Sequence, residues 1–298
     1  VDLLSIDSLS DAQIEELLDR SQLLFEDDRS DTKPVRTLAG RIVFNLFYES
    51  STRTAMSFAT ATHRLGASAL SLSVEHSSVK KGETLEDTAR TLGAMRPDAL
   101  VIRHRDNGAP ATVAEIVDAP VINAGDGTNE HPTQALLDAA TIRYRLGRIE
   151  GLKIAICGDI RHSRVARSNA KLLPRLGADV RLAGPPELMP SELPQLSVDE
   201  AIDGADVVMM LRVQRERLEE EFGDAPGEYL GRYGLTTDRL ATAAPNAVVM
   251  HPGPMNRGIE IDSGVADDRE RSLITLQVEM GVAMRMACLE MLLRETGA

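Results

Sequence analysis

Residues 42–54 read Ile42-Val43-Phe44-Asn45-Leu46-Phe47-Tyr48-Glu49-Ser50-Ser51-Thr52-Arg53-Thr54. A short apolar, aromatic and β-branched run is a buried strand, and the hydroxyl-rich segment after it is a loop that opens a helix through Ala55, Met56, Ser57 and Phe58. The first turn of a helix has N–H groups without intrahelical partners, and its dipole places partial positive charge there, so an anion is stabilised at Ser51 to Thr54. Arg53 adds a planar fork that can grip two anionic oxygens. Plain helix capping by Ser and Thr, with Arg53 solvated, is the competing reading. Four successive hydroxyl or guanidinium donors exceed what a cap needs.

Outward from this strand, apolar runs alternate with helical patterns. Further strands are expected at 69–74, 99–103, 121–124, 153–158, 180–183, 206–211 and 247–251. That alternation predicts an α/β fold with mainly parallel sheets flanked by helices. Ser10 and Gln13 form a capping box for a helix to about Glu26. A long helical pattern from Pro132 to Gly147, Pro at its first turn and Gly at its end, suits a bridge between two strand groups. The expected domains are 1–134, joined by a final helix at about 275–298, and 135–274.

Composition narrows the function classes. The chain has 298 residues, with 33 Lys and Arg against 46 Asp and Glu, a net charge of −13. Two domains are natural at this length. The acidic balance opposes nucleic acid or anionic lipid as a partner, because both require a basic surface. No segment reads as membrane-spanning or as a leader, so a cytoplasmic location is expected. Cys157 and Cys288 have no CxxC spacing and read as packed thiols. His76, His131 and His251 lack ligand spacing, so no metal is expected, and no cofactor motif is evident.

In open parallel sheets, ligands sit at the carboxyl ends of strands. The loops there are unusually polar. After the first strand comes Ser51 to Thr54; after the second, Ser77 to Glu83 with Lys80 and Lys81; after the third, Arg103, His104 and Arg105; after the fourth, Asp126 to Gln134. The fifth strand is followed by Asp159 to Arg164, and the seventh by Arg212, Val213 and Gln214. In an acidic protein, such local concentration of cations focuses potential on anionic substrates.

These segments, in this order, resemble the carbamoyltransferases. Ser51-Thr52-Arg53-Thr54 is similar to the family's carbamoyl phosphate motif, and His131-Pro132-Thr133-Gln134 to its second signature. The resemblance covers nearly the whole chain and implies two α/β domains with the active site in the cleft between them. The lysine loop Ser77-Ser78-Val79-Lys80-Lys81-Gly82-Glu83, the turn Arg212-Val213-Gln214 and the segment His251 to Gly258 resemble the members that take aspartate. The His-Cys-Leu-Pro and Ser-Met-Gly segments usual in ornithine members are absent.

The resemblance assigns carbamoyl phosphate to Ser51, Thr52, Arg53, Thr54, Arg103, His131 and Gln134, with backbone contacts from Gly253 and Pro254. It assigns L-aspartate to Lys81, Arg164, Arg212 and Gln214. Ser77 and Lys81 are implied to complete the site of a neighbouring subunit, in a homotrimer with shared active sites. Glu49 looks like the closure residue that pairs with Arg164 and Arg217. Regulatory chains or another pathway enzyme could join such a trimer.

The chemistry explains the cations. Carbamoyl phosphate carries a dianionic phosphate and aspartate two carboxylates. At about 4 Å, two like charges repel by ~4 kcal/mol at an effective dielectric of 20, so several arginines and a lysine are needed to hold both ligands. Thr54, Arg103 and His131 are the candidates for stabilising charge on the carbonyl oxygen, and Gln134 for orienting the carbamoyl NH₂. No general base is assigned, and the segment 214–235 is expected to be the mobile loop. Three alternatives stand beside this reading: a dinucleotide-binding oxidoreductase, weakened by a lone Gly158 in the turn; a silent scaffold; and a carbamoyltransferase for another amine such as ornithine.

Overall fold

Most parallel strands in this protein are mainly apolar runs long enough to cross a sheet once, and a polar loop and helical segment then carry the chain back toward the starting edge. The computed structural model describes residues 2–29, 36–73, 82–213 and 226–294. The chain divides into two compact units, Val1–Ala140 with Val278–Ala298, and Thr141–Gln277.

In the first unit, β1 (Ile42–Phe47), β2 (Ser68–Ser73), β3 (Ala99–His104) and β4 (Val121–Asp126) form a wholly parallel sheet in the order β2-β1-β3-β4. Helices α1 (Asp11–Asp28), α2 (Thr52–Arg64), α3 (Leu85–Gly93) and α4 (Ala109–Ala114) accompany it. Phe44 and Leu46 of β1, Leu100 and Ile102 of β3 and Val121 of β4 pack with Ala89 of α3 and Val113 of α4. Burial of one such aliphatic or aromatic side chain stabilises by about 1.5–3 kcal/mol. The capping box at Ser10 and Gln13 is formed as its spacing predicts.

The second unit repeats the plan. β5 (Lys153–Cys157), β6 (Asp179–Ala183), β7 (Val207–Met210) and β8 (Val248–Met250) form a parallel sheet in the order β6-β5-β7-β8. Ala155, Cys157, Val208, Met210 and Val249 turn one face to Val198, Ala201, Ile202 and Leu240. The boundary between units falls within α5 (Pro132–Leu146). A second boundary falls within the C-terminal helix Ile274–Arg294, whose residues from Val278 onward cluster with the first unit. The eight strands lie where the apolar runs predict them, with ends displaced by up to two residues. Among the described residues, no helix is long and apolar enough to cross a membrane.

In both sheets the first strand of the unit lies between its second and third strands. The chain therefore leaves β1 to one side for β2 and to the other for β3, and does the same at β5. This places a topological switch point, the usual ligand position in such sheets, at the carboxyl ends of β1 and β3 and again at those of β5 and β7.

Candidate active site

The loops beyond β1, β3 and β4 carry half of the residues singled out by their sequence. Ser51 is the N-cap of α2, in extended conformation, and its hydroxyl accepts from the Thr54 N–H at 3.4 Å. A hydroxyl that accepts a capping bond still has its own O–H to donate, so capping and anion binding are compatible. Thr52 and Arg53 are exposed and Thr54 is buried. Partial loss of solvent lowers the Arg53 pKa, which still leaves the guanidinium charged at neutral pH.

Arg103 stands opposite Phe47 at the end of β3. Its Nη2 donates to Glu49 Oε1 at 2.5 Å and its Nη1 to the Ala124 carbonyl at 3.4 Å, so the guanidinium spans the ends of β1, β3 and β4. His131 and Gln134 follow β4 at the start of α5. The Ala135 N–H donates to the His131 carbonyl, which makes His131 the residue that opens the helix, and Gln134 lies in its first turn. Both are buried, His131 at 3% and Gln134 at 8% exposure, as expected for side chains held in place rather than left to solvent.

The loop that delivers His131 is braced by Asp126, which is 1% exposed. Its Oδ1 accepts from Asn123 Nδ2 at 2.8 Å and the Glu130 N–H at 3.1 Å, and its Oδ2 accepts from the Gly108 N–H at 2.7 Å and Asn129 Nδ2 at 3.0 Å. Four donors satisfy this buried carboxylate and fix the loop around it. Glu130 Oε2 in turn accepts from the Ile6 N–H at 3.0 Å. Beneath the site, Arg285 of the C-terminal helix is 3% exposed and donates through Nη1 to Ser57 Oγ of α2 at 2.9 Å. Burial lowers its pKa to about 10, with the Arg103 charge adding to the depression and Asp138 opposing it.

In the second unit, Ser163 caps α6 (Arg164–Arg175) by accepting from the Ala166 N–H at 3.1 Å, which sets Arg164 at the first helical position beyond β5. Arg212 is exposed just beyond β7. Gly158, at φ +132°, brings the end of β5 so near β7 that a Cβ would lie 2.9 Å from the Leu211 carbonyl oxygen. That lone glycine is explained by strand packing, and no dinucleotide motif surrounds it. Beyond β8, His251 Nδ1 accepts from the Gly253 N–H at 2.8 Å and His251 Nε2 lies 3.2 Å from Glu260 Oε1. Glu260 Oε1 also accepts from the Asn256 N–H, and Asn256 Nδ2 donates to the Val213 carbonyl at 2.9 Å. The turn containing Gly253 and Pro254 is thereby tied to the segment after β7.

The structure thus gathers Ser51, Thr52, Arg53, Thr54, Arg103, His131 and Gln134 on one sheet edge of the first unit. Arg164, Arg212, Gly253 and Pro254 lie on the corresponding edge of the second. Ser77, Lys81, Gln214 and Arg217 lie outside the described residues, as does the part 214–225 of the loop expected at 214–235, whose remainder includes the helix Pro226–Tyr233 with Tyr229 fully buried. Asp126 was marked by the sequence only as the start of the polar loop after β4, and Asp138, Glu260 and Arg285 were not among the residues it marked. Of these, only Asp138 had a local signal, its spacing of four from Gln134 on one helix face. No group of three or more His, Cys, Asp or Glu among the described residues could hold a metal ion.

Residues 1–144 match the family described as aspartate/ornithine carbamoyltransferase, carbamoyl-P binding domain, and residues 150–292 match its Asp/Orn binding domain. The aspartate carbamoyltransferase catalytic subunit of Rhodospirillum rubrum is 55% identical over 296 residues, covering 97% of this chain and 93% of its own. That of Rhizorhabdus wittichii is 57% identical over 284 residues, covering 93% and 90%. Among solved structures, aspartate transcarbamoylase from Trypanosoma cruzi in complex with carbamoyl phosphate superposes with a TM-score of 0.87 at 33% identity, over 97% of this chain and 94% of that one. Ornithine carbamoyltransferase from Pyrococcus furiosus gives 0.88 at 28%, over 100% and 97%. With two family domains covering almost its full length, the chain belongs to the aspartate/ornithine carbamoyltransferase family.

Proposed function

We propose that this protein transfers the carbamoyl group of carbamoyl phosphate to the amine of L-aspartate, giving N-carbamoyl-L-aspartate and phosphate, an early step of de novo pyrimidine biosynthesis. The observation that carries the donor half is the convergence of Ser51 to Thr54, Arg103 and the His131–Gln134 segment on one edge, around one switch point. Backbone shape does not separate aspartate from ornithine members, since TM-scores of 0.87 and 0.88 are equivalent. Sequence does: relatives at 55–57% identity bear the aspartate name. Two cations beyond β5 and β7, Arg164 and Arg212, suit an acceptor with two carboxylates, whereas the ammonium side chain of ornithine calls for an anion.

In this reading, the N–H groups and hydroxyls of Ser51, Thr52 and Thr54 with Arg53 hold the phosphate. Thr54, Arg103 and His131 donate to the carbonyl oxygen as the amine adds and negative charge grows there, and one such donor is typically worth ~2.7 to 4 kcal/mol. Gln134 takes the carbamoyl NH₂, and Gly253 and Pro254 offer backbone groups to the same ligand. Arg164, Arg212, Lys81 and Gln214 bind aspartate. The departing phosphate is a sufficient acceptor for the amine proton, so no side-chain base is required. Ser77 and Lys81 come from a neighbouring subunit of a homotrimer in the cytoplasm. The relatives' designation as catalytic subunits supports regulatory chains as further partners.

The test is direct. The purified protein is incubated with carbamoyl phosphate and either aspartate or ornithine, and phosphate and the carbamoylated amino acid are measured. Faster turnover of ornithine would overturn the acceptor assignment, and no turnover with either would leave a silent relative.

A further inference from the structure

Gln134 is an amide with one donating and one accepting end, and its neighbour on α5 decides which end faces a ligand. Gln134 Nε2 donates to Asp138 Oδ1 at 2.9 Å. Asp138 is 0% exposed, and a carboxylate only accepts, so the amide nitrogen is committed to it and Oε1 is turned the other way. The Arg285 guanidinium, buried at 3% exposure, attracts the Asp138 carboxylate in a place water does not reach. A buried cation on the C-terminal helix, a buried anion on α5 and the amide of Gln134 form one chain of polarity.

We propose that Asp138 is a positioning residue that orients the Gln134 amide with its oxygen presented to the ligand, making the donor site selective for a group that bears N–H on the carbonyl carbon. The inference rests on the role proposed above for Gln134. A carbamoyl group offers that N–H. An acetyl group puts a methyl in the same volume and leaves the Gln134 oxygen facing it without a donor, which is the kind of mismatch that discriminates strongly. Were the amide free to turn over, it would offer a donor instead, and the preference would fade.

Two hydrolytically stable probes isolate this effect by calorimetry: phosphonoacetamide, which keeps the NH₂, and phosphonoacetone, which replaces it with methyl. Wild-type protein is expected to bind the amide at least tenfold more tightly than the ketone. In Asp138→Asn, whose side chain can face Gln134 with either end, that ratio should fall to within about threefold of unity, while affinity for inorganic phosphate stays within about twofold of wild type. A merely structural role would weaken all three ligands together. An unchanged amide-to-ketone ratio in Asp138→Asn with normal phosphate binding would overturn the proposal while leaving the carbamoyl transfer reading intact. Failure of wild type to bind either phosphonate, or its indifference between them, would count against the role of Gln134 itself and take this proposal with it. If Asp138→Asn does not fold, the double variant Asp138→Asn/Arg285→Met, which removes both buried charges at once, is expected to show the same collapse of the ratio, and retention of the ratio there would overturn it.

Discussion

Arg103 is held by Glu49: its Nη2 donates to Glu49 Oε1 at 2.5 Å, within one unit of the chain. An oxygen of an incoming anion has to share or displace that carboxylate. Glu49 is 35% exposed along its side chain, so the pair is screened and is worth about 0.2–1 kcal/mol. Glu49→Gln is therefore expected to tighten binding of phosphonoacetamide, whose carbonyl oxygen takes the Arg103 donor in the proposed assignment, by up to about fivefold in low salt, measured by calorimetry. Weaker binding in the variant would mean that Glu49 aims Arg103 rather than competing for it.

Subunit exchange examines the trimer with shared sites. Arg53→Ala and Lys81→Ala each remove a cation assigned to a substrate and are expected to lower kcat/KM by about 100-fold or more. Mixed and reassembled, the two inactive proteins should regain activity, because some sites then combine an intact Arg53 with an intact Lys81 from another chain. No recovery, with exchange demonstrated by mass spectrometry, would place Lys81 in its own chain's site.

The His251 and Glu260 pair makes a stability prediction. His251 Nδ1 accepts from the Gly253 N–H, so the ring proton is on Nε2 and is donated to Glu260. Both side chains are 0% exposed. Glu260→Ala deprives the imidazole and the Asn256 N–H of their acceptor and is expected to cost about 3 kcal/mol in urea unfolding, with an unchanged m value. Glu260→Gln, which keeps an acceptor of the same shape, should cost less than half as much.

Alkaline pH should expose the two thiols energetically. Burial pushes Cys157 and Cys288 up from an ordinary 9.0 to about 12. Between those values the unfolded chain has lost the thiol protons and the folded chain keeps them, so stability falls as pH rises above about 9, by about 1.4 kcal/mol per pH unit for each cysteine. Urea midpoints at pH 8, 9.5 and 10.5 should decline more steeply for wild type than for a Cys157→Ala/Cys288→Ala variant. Parallel declines would mean that solvent reaches the thiols.

Much of the fold was legible because most strands here are mainly apolar, β2 with Ser68, Ser71 and Ser73 excepted, and helices announce their starts. Ile154 to Cys157 or Val207 to Met210, short and bounded by turn residues, reads as a buried strand, and Ser10 with Gln13 or Pro132 before an apolar helix marks an N-terminus locally. The loops carrying Ser51 to Thr54, Arg103 and His131 were legible for the same reason, since each follows directly on such a run. The supports of those residues were not. Asp126 gathers donors from Gly108 and Asn123, and Arg285 reaches Ser57 across 228 positions of sequence. Buried polar pairing of this kind has no period and no composition, and only folding brings its members together.

Both sheets thread their strands in the same relative order, the first strand second from one side. One consequence is modular: in the proposed assignment most side chains for the phosphorylated donor hang on the first unit and Arg164 and Arg212 for the acceptor on the second, each unit braced by its own buried carboxylate, Asp126 in one and Glu260 in the other. The loops beyond β5 and β7 can therefore be exchanged for those of a relative with a different amine preference while the loops beyond β1, β3 and β4 and the turn beyond β8 keep their sequence, so a change of acceptor calls for remodelling chiefly one half of the molecule.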